Sequence, residues 1–127
     1  RKYGGGIAII TQSILDMKQF GELGEVLMGN SAFKFFLESS MFDKAKEEKL
    51  INYDVFIMNL IKTLQSNRPK YSELFIDAPF GQGIVRLVVD PYSYYVYTSD
   101  GGETAKMESM VKDGLTYDQA IRRMLEN

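Results

Sequence analysis

KYGGGIAIITQS, residues 2–13, sets three glycines before a short apolar run and closes that run with a polar triplet. Ile7 to Ile10 is uninterrupted, uncharged and rich in β-branched side chains, which predicts a strand buried on both faces, as parallel sheets require. Ser13 is placed to cap a short helix from Ile14. Glu22 to Met28 reads as the next helical segment, closed by Gly29-Asn30, a pair suited to a left-handed helix end. Ala32 to Leu37 then resumes as a second apolar strand. Two strands joined by helix within roughly thirty residues predict a βαβ unit with parallel strands.

Beyond this unit, Phe42 to Lys49 is a charged stretch with the look of a solvated helix face. Tyr53, Phe56, Ile57, Leu60, Ile61 and Leu64 repeat at helical spacing behind Asn52, a candidate cap. From Tyr71 the period changes: Tyr71 to Asp77, Ile84 to Val89 and Tyr94 to Ser99 read as strands. The turns between them, Pro79 to Gly83 and Asp90-Pro91-Tyr92, are short enough to force antiparallel pairing. Two helices follow, Glu103 to Lys112 and Tyr117 to Leu125, broken at Gly114. Thr116 with Gln119 forms a capping box, and Tyr117, Ala120, Ile121, Met124 and Leu125 make one apolar stripe.

Composition bounds what this chain can do. Its 127 residues suit one compact domain, and a hydrophobic fraction of 45% with three prolines is that of a folded protein. A formal charge of -2 gives no overall basic field for nucleic acid or anionic lipid. The chain has no Cys and no His, which removes disulfides, thiolate metal sites, the commonest zinc ligand and the commonest general base. No stretch approaches the ~18 consecutive apolar residues of a membrane span.

Familiar phosphate-binding motifs are missing. Gly4-Gly5-Gly6 precedes its strand instead of following it, and Gly81-Gln82-Gly83 falls in a hairpin with Arg86 where a third glycine would stand. Leu87-Val88-Val89-Asp90 resembles a magnesium-holding strand, but Pro91 directly after it favours a strand-ending turn. No G-x-x-x-x-G-K-[ST] occurs. Tyr92, Tyr94, Tyr95 and Tyr97 have no basic residues between them, so packing is favoured over base stacking.

In order along the chain, RKYGGGIAIITQS, NSAFKFFL, KYSELFI, GIVRLVVDPYSYYVYTS and DGLTYDQAI resemble the C-terminal part of the conjugative-transfer ATPases, the TraC/VirB-type motors of type IV secretion. The resemblance implies an α/β fold: a partial RecA-like sheet of P-loop NTPase type, with parallel strands extended by antiparallel C-terminal strands and flanked by helices. It implies that residues 1–127 form a single domain at the C-terminus of a larger motor whose P-loop and magnesium-binding strand lie upstream. ATP and Mg²⁺ would then serve the full-length parent, with none expected on this piece, which alone would be inactive.

On the same resemblance, Gln12 would emerge from the strand tip to orient water or sense the γ-phosphate, beside Thr11. Arg1 would reach a neighbouring subunit's phosphates, with Lys2 in support. The implied setting is a homo-oligomeric ring among other type IV secretion proteins, cytoplasmic and peripheral to the bacterial inner membrane, energising pilus assembly or DNA transfer. The alternative reading is a non-catalytic interaction module that docks a secretion-system partner. Direct contact with single-stranded DNA is a third, disfavoured by the acidic balance.

Overall fold

A computed structural model describes residues 4–126, which divide into two compact units. One comprises the residues up to Gln65 together with Glu73–Val85; the other comprises Ser66–Ser72 and the residues from Arg86 onward.

In the first unit Ser13 caps a 3-10 helix over Ile14–Phe20. Its Oγ accepts from the Leu15 amide while Asp16 reaches back to the Ser13 amide, a reciprocal box that satisfies donors the helix leaves open. Helix α1 follows over Glu22–Asn30, then strand β1 over Lys34–Leu37. Helices α2 (Phe42–Glu47) and α3 (Val55–Ile61) come next, α3 capped by Asp54, whose carboxylate accepts from the Ile57 amide at 2.8 Å. Strands β3 (Tyr71–Ala78) and β4 (Gly81–Leu87) follow, their residues 73–78 and 81–85 in this unit, and strand β2 (Ser66–Asn67), in the second unit, completes the sheet.

Strand β3 is the centre of this four-stranded sheet. β1 lies antiparallel to it with Phe35 opposite Ile76 and Leu37 opposite Leu74, and β2 lies antiparallel at Ser66 opposite Ser72. β4 returns alongside β3 after the two-residue loop Pro79-Phe80, a connection only an antiparallel pair can make. Side chains alternate: Phe36 and Phe75 point into a core with Phe42, Met58 and Ile61, with the Phe36 and Phe75 rings 6.2 Å apart and nearly parallel.

The expected parallel, RecA-like sheet is therefore corrected: among the described residues no strand is parallel. Ile7 to Ile10 is not a strand and not buried, with Ile7 83% and Ile10 97% exposed. A strand exists only where a neighbour accepts its backbone, and β3 pairs with β1, β2 and β4 and not with this run. The apolar run has strand propensity and no partner strand among the described residues. Without it the Lys34–Leu37 segment is no second half of a βαβ unit; it pairs with β3 instead.

Smaller expectations also change. α1 runs through Gly29 and Asn30 to an extended Ser31, whose hydroxyl donates to the Leu27 carbonyl at 2.6 Å, so no left-handed end is needed. The left-handed residue is Lys49, at φ 59. Phe42 and Ala45 are buried, so the charged stretch is also a core helix. Asp54, not Asn52, caps α3.

In the second unit the expected strand at Tyr94 to Ser99 is helix α4, Pro91–Tyr97. Asp90 caps it by accepting from the Ser93 amide, and Pro91 sits at the first helical position, where its missing N–H costs nothing. Tyr92 and Tyr95, three residues apart, then share one face and pack on Met107, Ala120 and Ile121. Strand propensity of tyrosine and valine yields to that packing. Helices α5 (Gly101–Lys112) and α6 (Tyr117–Leu125) form as the spacing predicts, with the Thr116–Gln119 box in place.

Candidate functional site

Arg1 and Lys2 lie outside the described residues. Thr11 is engaged locally: its hydroxyl contacts the Ser13 carbonyl at 3.0 Å and the Asp16 carboxylate. Gln12 stands exposed in the bend between them, and its amide has no hydrogen-bond partner among the described residues. The structure thus joins Thr11 to the capping network of the 3-10 helix, and Gln12 is not among the residues lining the cleft described next.

A cleft of about 370 Å³ opens in the first unit, and its wall includes Lys34, Lys49, Tyr53 and Asp77. Asp77 projects from β3 on the core side and is held twice: Tyr53 Oη donates to Oδ2 at 2.5 Å and Gln82 Nε2 donates to Oδ1 at 2.9 Å. The Lys34 ammonium stands 4.0 Å from the same carboxylate and donates to the Ser31 carbonyl at 2.8 Å. Burial pushes the Asp77 carboxyl up, but the two hydrogen bonds and the Lys34 charge outweigh it and leave it below the usual carboxylate range. Burial, and then the hydrogen bond to the Asp77 carboxylate and its charge, push the Tyr53 phenol far above its ordinary value. Tyr53 is therefore a neutral donor, and this cluster is a satisfied polar clamp between the segment leading into α3 and the sheet and not a proton-transfer pair poised near neutrality. Lys49 ends α2 in the left-handed conformation, its amide bonded to the Lys46 carbonyl and the Leu50 amide to the Ala45 carbonyl.

The opposite face of the sheet is open. Phe35 and Leu37 are each 60% exposed, and Leu74, Ile76 and Val85 accompany them outside the core cluster. Phe33 and Phe80 meet at one end, ring centroids 6.2 Å apart. A sheet apolar on both faces is a middle layer, and one face here has no cover among the described residues. Sequence reasoning saw the AFKFFL run and explained its two-sided apolarity by a parallel neighbour; the same signal marks this face.

In the second unit the tyrosines have internal roles. Tyr92 Oη donates to Asp118 at 2.7 Å, where Arg122 Nε also donates at 2.9 Å, and Tyr94 Oη donates to Glu103. The Arg86 guanidinium lies over the Tyr71 ring at 4.3 Å. Glu73 accepts from the Gln65 amide and donates its own amide to the Gln65 carbonyl. Among the described residues no group of His, Cys, Asp or Glu could hold a metal ion, and no helix is long and apolar enough to cross a membrane.

Fold and site together define an antiparallel sheet with helices, clamped on one face by a tyrosine donating to an aspartate carboxylate and left apolar on the other. No protein-family model matches the chain, and no solved structure matches it. The chain is similar to Protein TraC of Escherichia coli (strain K12), 27% identical over an alignment 127 positions long that covers 95% of this chain and 14% of TraC. It thus spans about one seventh of the curated relative it matches.

Proposed function

We propose that this chain is a segment of a TraC-like protein of conjugative transfer and that it serves there as a non-catalytic interaction unit, docking polypeptide on its open sheet face. The observation that carries this reading is the uncharged apolar face of β1 and β3, in a chain similar to TraC along 95% of its length. The satisfied Tyr53–Asp77 clamp fits a structural role on the other face. A photo-cross-linking residue placed at Phe35 of the natural protein tests it in conjugating cells. A discrete cross-linked product is expected, absent when the probe stands at Lys106, and Leu37→Asp should lower transfer frequency. No product at Phe35 together with unchanged transfer would refute the docking role.

The similarity to TraC also favours a second reading, in which the segment contributes to a nucleotide-driven ring at the cytoplasmic face of the inner membrane. ATP and Mg²⁺ would be held by a phosphate loop this sequence does not contain, with Arg1, Lys2, Thr11 and Gln12 contributing side chains to the nucleotide site. Gln12→Ala in the longer natural protein should then slow ATP turnover more than it weakens ATP binding; unchanged turnover removes Gln12 from that mechanism.

A further inference from the structure

We propose that Met110 and Met124 form a modification site for a peroxide-class oxidant, and that their oxidation opens the helical core of the second unit while leaving the core of the first unit closed. The inference is independent of the docking reading, since it concerns neither the open sheet face nor a partner.

The chemistry starts from composition. The chain has seven methionines, no Cys and no Trp, so its thioethers are its only sulfur atoms and its most reactive side chains toward a two-electron oxidant. A thioether lone pair attacks one peroxide oxygen. The O–O bond breaks, an S–O bond forms, and the departing hydroxide takes a proton to leave as water. Sulfur loses two electrons and the peroxide gains them. A flexible apolar side chain thereby becomes a polar sulfoxide.

Placement decides which methionines matter. Met17 and Met58 are enclosed in the core of the first unit at 3% and 4% exposure, and Met28 is half-buried at its edge. Met41 is 39% exposed and belongs to neither core, so its oxidation removes no core packing. Met110 and Met124 combine access with packing: each is half-buried, and both pack against the buried Met107, Ala120 and Ile121.

Core size sets the consequence. Among the described residues the first core gathers eighteen side chains, three of them methionine, and the second gathers eight, again with three. Met107 and Met110 stand one turn apart on α5, and Met124 continues the Ala120–Ile121 stripe of α6, so thioethers line both sides of the α5–α6 contact. Tyr92, packed on the same core, already donates its hydroxyl to Asp118 at 2.7 Å. A sulfoxide draws its side chain toward water, and a core with so few members loses a large share of its packing. Helices of twelve and nine residues, as α5 and α6 are, depend on that packing to persist.

Hydrogen exchange of the 127-residue chain, read by mass spectrometry before and after hydrogen peroxide, tests this. Once Met110 and Met124 each carry one added oxygen, amides of α5 and α6 should exchange at least ~10-fold faster while those of α2 and α3 stay within about 2-fold. Met110→Leu with Met124→Leu, a nearly volume-conserving exchange, should keep α5 and α6 slow under the same treatment, and Met41→Leu should give no protection. If the double variant is itself loosened, enzymatic reduction of the sulfoxides in the parent chain is the second readout, and slow exchange should return. Unchanged α5 and α6 with both sulfoxides formed, equal acceleration in α2 and α3, or fast exchange that persists after reduction overturns the proposal. So does a treatment that oxidises Met41 fully and leaves Met110 and Met124 untouched.

Discussion

Replacing Gly24 with alanine should destabilise the protein, against the sign that helix propensity alone gives. Gly24 lies inside α1, where alanine is normally worth up to about 1 kcal/mol over glycine. A Cβ at this position would stand 2.1 Å from the Met17 carbonyl oxygen and 3.1 Å from its carbon. That is roughly 1 Å or more inside ordinary contact, and the obstructing atoms are backbone, held by the 3-10 helix and by a Met17 side chain only 3% exposed. α1 must move off the 3-10 helix, which puts the strain at or above the upper end of the ~1–3 kcal/mol typical of overpacking. Less the propensity gain, the net loss is about 2 kcal/mol, or about 8 °C in Tm at roughly 4 °C per kcal/mol for a chain of this size. Gly29→Ala is the control: it lies in the same helix with nothing within 4 Å of its would-be Cβ, and should stabilise by a few tenths to ~1 kcal/mol. Urea unfolding followed by circular dichroism measures both. A midpoint for Gly24→Ala equal to or above that of the parent, with unchanged m, would refute the close approach of these two helices.

Other perturbations have defined outcomes. Lys49→Gly should stabilise by up to about 1 kcal/mol, because the left-handed conformation costs an L-residue ~1–2 kcal/mol and glycine recovers this less its larger folding entropy; a loss of stability in the urea midpoint would mean the lysine stem packs usefully. Tyr53→Phe should cost about 1 kcal/mol, since Asp77 keeps Gln82 and Lys34 but loses its shortest hydrogen bond. The pH profile gives a sharper readout of the same pair. Asp77 is depressed in the fold, so its contribution is present above the unfolded carboxylate value near ~4 and is lost as pH falls through the lower folded value. Tyr53 is raised, so its contribution is intact below the unfolded phenol value near ~10 and is lost as pH rises beyond it; Tyr53→Phe should flatten that alkaline arm, and an unaltered arm would contradict the clamp. Thr116→Ala should lower stability by about 1 kcal/mol through loss of the α6 capping box, read as a shift in unfolding midpoint with Thr116→Ser largely restoring it.

Local chemistry was legible wherever the partner lay a few residues away. Ser13 at the start of the first helix and Thr116 with Gln119 are caps legible in the sequence, and the apolar stripe around Ala120 and Ile121 does face a core. The β3–β4 hairpin was likewise legible, although the expected turn Pro79 to Gly83 is the two-residue loop Pro79-Phe80 and the second strand runs over Gly81–Leu87 in place of Ile84 to Val89. These features depend on hydrogen bonds and periodicities that close within one or two turns, so the order of residues alone determines them.

Tertiary structure decided the rest. Whether Ile7 to Ile10 is a strand depends on a neighbour to receive its backbone, and only the assembled sheet shows that β3 pairs with β1, β2 and β4 and leaves this run exposed. Whether Tyr92 to Tyr97 extends or coils depends on the Met107 and Ile121 surface brought to it by α5 and α6. The Tyr53–Asp77 clamp joins residues far apart in sequence, a pairing no spacing rule encodes. Apolar pattern states what must be covered; which surface covers it is set by long-range packing, because burial is non-directional and takes whatever partner the chain path delivers.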